Sequence, residues 1–174
     1  MKIRLAYGKE GLPVELPNHA TLIEPDYIPS LPDETGALKT GLRNPIGTLT
    51  LRQATIPGHK IGISVCDITR PIPSDRILPI LLGELEHIPP SDITIFLATG
   101  THRSNNNQEI ESMLGEFVVN HGCKIVNHDA FDSKALTQVG VTKGGIPAFL
   151  NKEWTECDFR ITTGFVEPHF FAGF

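Results

Sequence analysis

The chain has 174 residues, 40% hydrophobic and 20% charged, with a net charge of −5 and a pI near 5.8. That composition fits one ordinary globular domain, and the absence of a basic cluster argues against a phosphate-neutralising nucleic-acid binder. No apolar run nears the ~20 residues of a membrane span, and Met1 leads directly into the alternating segment Lys2-Ile3-Arg4-Leu5 rather than a secretory leader. Cys66, Cys123 and Cys157 are odd in number and far apart, which reads as reduced thiols in a cytoplasmic protein rather than a disulfide or zinc framework.

In chain order, residues 2–7 and 12–16 read as a hairpin over Gly8-Lys9-Glu10-Gly11, with a short strand expected at 20–23 and a helix at 33–43. Residues 60–66 form an apolar run of strand length. Residues 73–86 then repeat apolar side chains at helical spacing through Ile77, Leu78, Leu81, Leu82 and Leu85. A second strand at 93–98 precedes a helical pattern at 105–119 carrying Ile110, Met113, Leu114 and Phe117. A third strand at 124–127, a small hairpin at 136–142 and 146–150, and a last strand at 157–163 complete the pass. Strands alternating with helices predict an α/β fold. The expectation is a mainly parallel, Rossmann-like sheet with helices on both faces and a small N-terminal β-hairpin.

In such sheets ligands gather beyond the carboxyl ends of the strands, and three polar clusters fall there. The first is Asp67-Ile68-Thr69-Arg70-Pro71. Arg70 suits a carboxylate or phosphate, and Asp67 suits a hydroxyl or the arginine itself. The plain alternative is a helix-capping Asp and a salt-bridged Arg. The second is Ala98-Thr99-Gly100-Thr101-His102-Arg103, which stands a histidine with near-neutral titration at a strand end. The third, Gly164 to Phe174, sets His169 beside Glu167 among Phe165, Phe170, Phe171 and Phe174, aromatics suited to excluding water. An apolar terminus is unusual for a natural chain end, so a longer protein is expected, and the exposed aromatics predict self-association of this piece. His128-Asp129 is a candidate supporting pair, while His19, His59 and His87 read as turn or helix-end residues. No HExxH or CxxC spacing occurs, so no metal ligand is assigned.

Two histidines beyond two strand ends suit acid–base work on opposite faces of a substrate, as a racemase or epimerase needs, with a neighbouring arginine for a carboxylate. Residue types and spacing alone do not choose this over a hydrolase or a lyase.

Taken together, Asp67-Ile68-Thr69-Arg70-Pro71, Ala98 to Arg103, Asn127-His128-Asp129 and Glu167 to Phe174 resemble, in order and spacing across 60–174, the lactate racemases that use a nickel-pincer nucleotide. The resemblance implies an enzyme of two α/β domains with the active site between them. Residues 1–174 would be the N-terminal catalytic domain and the C-terminal domain would lie outside this chain. It implies reversible hydride transfer from a 2-hydroxy acid to the pyridinium of the cofactor, with His102 and His169 exchanging the hydroxyl proton. It implies that Asp67, Ile68, Thr69 and Arg70 contact the cofactor, that Arg70 also holds the substrate carboxylate, and that cofactor-biosynthesis enzymes are partners. In the family the cofactor's lysine and a nickel-ligating histidine follow the Phe-Ala-Gly-Phe stretch, so this chain alone is expected to be inactive and to bind the cofactor weakly or not at all. Two other readings stand beside it. One is a metal-dependent hydrolase or lyase ligating through His102 and His169; the other is a non-catalytic nucleotide-binding domain.

Overall fold

The computed structural model describes residues 1–174 apart from Pro25, Phe165, Phe170, Phe171, Ala172 and Phe174. It divides into two units, Met1–Pro32 and Asp33–Phe174.

In the first unit, β1 (Lys2–Leu5) and β2 (Leu12–Glu15) pair antiparallel, with Ile3 opposite Val14. Gly8 and Gly11 turn the hairpin at φ of 57° and 72°, a region that L side chains rarely adopt. The expected strand at 20–23 is absent: its described residues carry no regular structure. The segment offers four residues with no paired edge, too little for a strand to be stable.

The second unit opens with α1 (Glu34–Arg43), whose Asp33 cap accepts from the Gly36 N–H at 2.8 Å. A single turn, α2 (Leu51–Ala54), follows; four residues are too short to show a helical period. Next come β3 (Ile61–Cys66), α3 (Ser74–Glu84), β4 (Ile93–Ala98), α4 (Asn107–Val119) and β5 (Lys124–Asn127). An antiparallel hairpin of β6 (Leu136–Val141) and β7 (Pro147–Asn151) precedes the one-turn α5 (Lys152–Thr155) and β8 (Phe159–Thr162). β3, β4, β5 and β8 form one parallel sheet in the order β5-β4-β3-β8, the architecture that the strand–helix alternation predicts.

Alternation along the central strands decides what covers each face. Ile61, Ile63 and Val65 of β3 and Ile93, Ile95 and Leu97 of β4 are buried in one cluster with Leu78, Leu81 and Leu82 of α3 and Leu114 and Val118 of α4. Gly62 and Phe96 look the other way, toward Trp154 of α5. The two large helices approach closely where Gly115 interrupts α4 at φ 79°; a Cβ there would lie 3.3 Å from the Cβ of Asp75. Since β4 and β8 flank β3 on opposite sides, the chain reverses its direction of travel across the sheet beside β3, which is where α/β sheets open a crevice. No helix among the described residues is long and apolar enough to cross a membrane.

Candidate active site

Each of the three strand-end clusters follows a different strand: β3, β4 and β8. Among the residues around a cleft of about 400 Å³ are Asp67, Thr69, Arg70, Gly100, His102 and His169. The two histidines, 67 residues apart in sequence, therefore face one space.

The loop after β3 is organised by its aspartate. Asp67 is 4% exposed. Its Oδ1 accepts from the Thr69 hydroxyl at 2.6 Å and from the Thr69 N–H at 3.3 Å, while its Oδ2 lies 2.8 Å from His102 Nδ1. Burial pushes the carboxyl pKa up, but the bonds from Thr69 and His102 outweigh it and hold the group below the ordinary aspartate value. An ionised carboxylate only accepts, so Nδ1 of His102 carries the proton and donates it. In the neutral form of such a ring the lone pair is on Nε2, and the side chain is half exposed.

The loop after β4 is held at both ends. The His102 N–H donates to Thr99 O at 2.9 Å, and the buried Thr99 hydroxyl donates to His128 O. Arg103 does not reach for a ligand: its two Nη atoms grip Glu109 at 2.6 and 2.8 Å. That contact lowers the Glu109 pKa to about 2. Glu109 and Asn106 also form a reciprocal capping box that starts α4. Beneath the loop, Asn127 Oδ1 accepts from the Asn105 N–H at 2.9 Å and its Nδ2 donates back to Asn105 O at 3.0 Å. Asn105 Oδ1 in turn accepts from the Ile68 N–H at 3.2 Å. This amide chain ties together the ends of β3, β4 and β5.

The segment after β8 is joined to the first loop by an ion pair, Arg70 Nε to Glu167 Oε1 at 2.9 Å. His169 and Gly173 exchange backbone hydrogen bonds at 2.9 Å in both directions.

Asp67, Thr69, Arg70, His102 and His169 are thus brought together. Ile68 is not part of the lining, and its N–H is taken by Asn105. His128 and Asp129 do not pair. Consecutive residues beyond a strand point different ways, and Asp129 Oδ1 accepts from the Phe131 N–H at 2.8 Å in a turn. Phe165, Phe170, Phe171 and Phe174 lie outside the described residues. Asn105 carries no local signal beyond the helix-start character of the Asn run at 105–107, and Asn127 stands out only as part of the Asn127-His128-Asp129 stretch. Cys66 lines the cleft, but burial raises its pKa, only partly offset by Arg70, so the thiol is no ready nucleophile. Among the described residues no group of three His, Cys, Asp or Glu side chains is placed to hold a metal ion.

The arrangement is an oriented imidazole, a second imidazole and a guanidinium around one cleft. A family model described as the lactate racemase N-terminal domain matches residues 7–174. The lactate racemase of Lactiplantibacillus plantarum is 39% identical over 142 residues, covering 81% of this chain and 33% of that protein. The lactate racemase of Thermoanaerobacterium thermosaccharolyticum is 35% identical over 178 residues, covering 99% of this chain and 41% of that protein. The solved structure of the latter's apoprotein superimposes with a TM-score of 0.79 at 36% identity, over 99% of this chain and 40% of the other. A Thermotoga maritima protein of 21% identity and TM-score 0.59, covering 78% of this chain and 34% of that one, shares the fold. The chain spans well under half of the proteins it matches.

Proposed function

We propose that this chain, which belongs to the lactate racemase N-terminal domain family, forms one wall of the active site of a longer, two-domain 2-hydroxy-acid racemase or epimerase. The observation that carries this is the shared cleft of His102, His169 and Arg70. A 2-hydroxy acid fixed by its carboxylate presents its hydroxyl on opposite sides in its two enantiomers. An enzyme that interconverts them needs a proton acceptor on each side.

In this reading Arg70 holds the carboxylate. Its Nε is engaged by Glu167 and its Nη1 donates to the Thr69 hydroxyl at 3.4 Å, two contacts that fix the guanidinium plane at the cleft. His102 takes the hydroxyl proton at Nε2, and Asp67 orients the ring and stabilises the imidazolium that forms. His169 does the same for the opposite enantiomer.

The nickel-pincer nucleotide implied by the family resemblance fits the donor set of this wall. Thr69 supplies a hydroxyl, Arg70 a guanidinium, and Gly100 a backbone with open space where a Cβ would stand. When bound, the group supplies a hydride acceptor for the α-carbon. Asp67, Thr69 and Arg70 are the residues of this chain that would hold it; the remainder of the longer protein would supply the rest of its site.

The test is turnover by the full-length protein, coexpressed with cofactor-making enzymes, on a panel of chiral 2-hydroxy acids. Interconversion is expected, with His102→Ala and His169→Ala each lowering kcat by about 10²–10⁴-fold. A folded, loaded protein that turns over no 2-hydroxy acid, or variants that keep full activity, would sink this reading. The 174-residue chain by itself is expected to show no turnover.

A further inference from the structure

The face of the sheet turned away from α3 and α4 carries a second opening. Along it run Gly62, Ser64 and Cys66 of β3 beside Thr94, Phe96 and Ala98 of β4, in register. Trp154 seats directly on this backbone: a Cβ on Gly62 would lie 3.0 Å from the indole carbons. Phe96 meets the same indole edge-on, with centroids 5.4 Å apart. Ser64, Phe96, Phe149, Leu150 and Trp154 border a cavity of about 270 Å³ here. A cavity of about 150 Å³ is enough to hold benzene. No Lys, Arg, Asp or Glu lines it among the described residues.

This cavity adjoins the histidine cleft. Ala98 and Gly100 line both. Cys66 pairs with Ala98 at the cleft, and Ser64 pairs with Phe96 one pleat lower. Two residues along a strand is about 7 Å. A molecule whose carboxylate and hydroxyl sit among Arg70, His102 and His169 therefore reaches the cavity with a ring carried on one or two carbons.

We infer that this cavity receives the side chain of the 2-hydroxy acid, and that the preferred substrates carry an aryl group at C3. The aromatic walls offer edge-on and offset contacts to such a ring. The methyl of lactate would leave most of the space unfilled. A second carboxylate would be desolvated with no lysine or arginine to meet it, His128 being the one titratable side chain among the described lining residues. The head-group half of this inference rests on the racemase reading; the tail half rests on the cavity alone.

Trp154 is the single tryptophan of the chain and forms part of the wall, so its fluorescence reports occupancy without turnover. The 174-residue chain is titrated with 3-phenyllactate, lactate and 3-phenylpropan-1-ol, while the NMR signals of His102 and His169 are followed in parallel; His128 borders the cavity and reports with Trp154. The expected result is a saturable Trp154 change with 3-phenyllactate. Its midpoint should be about tenfold lower than with the alcohol, which lacks the charged head. Lactate should move histidine signals and leave Trp154 unchanged. Ala98→Leu narrows the junction from an exposed strand end, and should raise the 3-phenyllactate midpoint more than that of the alcohol, with the far-ultraviolet circular dichroism unchanged. If both acids move the histidine signals and Trp154 stays silent, the side-chain inference fails and the racemase reading survives. If the alcohol and 3-phenyllactate bind alike and no acid moves His102 or His169, the cavity binds rings but the head-group reading fails. If no ligand changes Trp154 or the histidines, both fail.

Discussion

The two faces of the central sheet follow different rules. Beneath α3 and α4, Ile61, Ile63, Val65, Ile93, Ile95 and Leu97 are all at most 1% exposed and pack in one apolar cluster with the two helices. The opposite face presents Gly62, Ser64, Cys66, Thr94 and Ala98, small or polar residues, with Phe96 the large exception under Trp154. One face is filled to the density of an interior; the other leaves volume because its side chains are too short to fill it. Stability is therefore concentrated on one face, and space for ligands on the other and at the strand ends.

Substitutions sharpen or break that contrast. Ile95→Ala opens a void on the sealed face and is expected to cost about 2–5 kcal/mol in chemical denaturation of this chain. A cost under ~1 kcal/mol would mean the sealed face is not the main store of stability. Asp67→Asn comes next. Its amide can offer His102 a donor instead of an acceptor, so kcat of the full-length enzyme should fall by at least about tenfold, with substrate affinity changed far less. The same variant has a pH signature. The folded Asp67 titrates below the ordinary 3.8, so its contribution is complete above that value and is lost as pH falls through the lower folded value. Thermal scans of wild type from neutral pH down to ~2 should show a loss of stability below that value that Asp67→Asn lacks in part. Asn106→Ala removes the α4 cap and should cost ~1 kcal/mol without changing the response of Trp154 to ligands. The smallest effect is at Phe149, half exposed on the open face: Phe149→Ala should change stability by no more than ~0.5 kcal/mol yet weaken binding of aryl ligands.

Much of this architecture was legible in the residues. The apolar strands at 93–98 and 124–127 match β4 and β5, and the helical spacing of Leu78, Leu81 and Leu82 marks the buried side of α3. The short elements were not legible. α2 and α5 have four residues each, less than the repeat needed to reveal a period. At the site, proximity in sequence was a poor guide to partnership. Adjacent His128 and Asp129 do not pair, whereas Asp67 and His102, 35 residues apart, do. Arg103 has the residue type of a ligand-binding group, but Glu109 six residues on holds it in a fork.

By itself the amino-acid order determined the alternation of strands and helices, and with it the placing of His102 and His169 beyond strand ends. Those are local matters, governed by side-chain period and by the turn chemistry of Gly, Pro and Asp over a few residues. Tertiary structure alone decided that β8 lies beside β3, that Glu167 therefore meets Arg70, and that both histidines face one cleft. Strand order is set by which apolar faces can be buried together and which edges can pair. Those are long-range energies that no window of sequence contains.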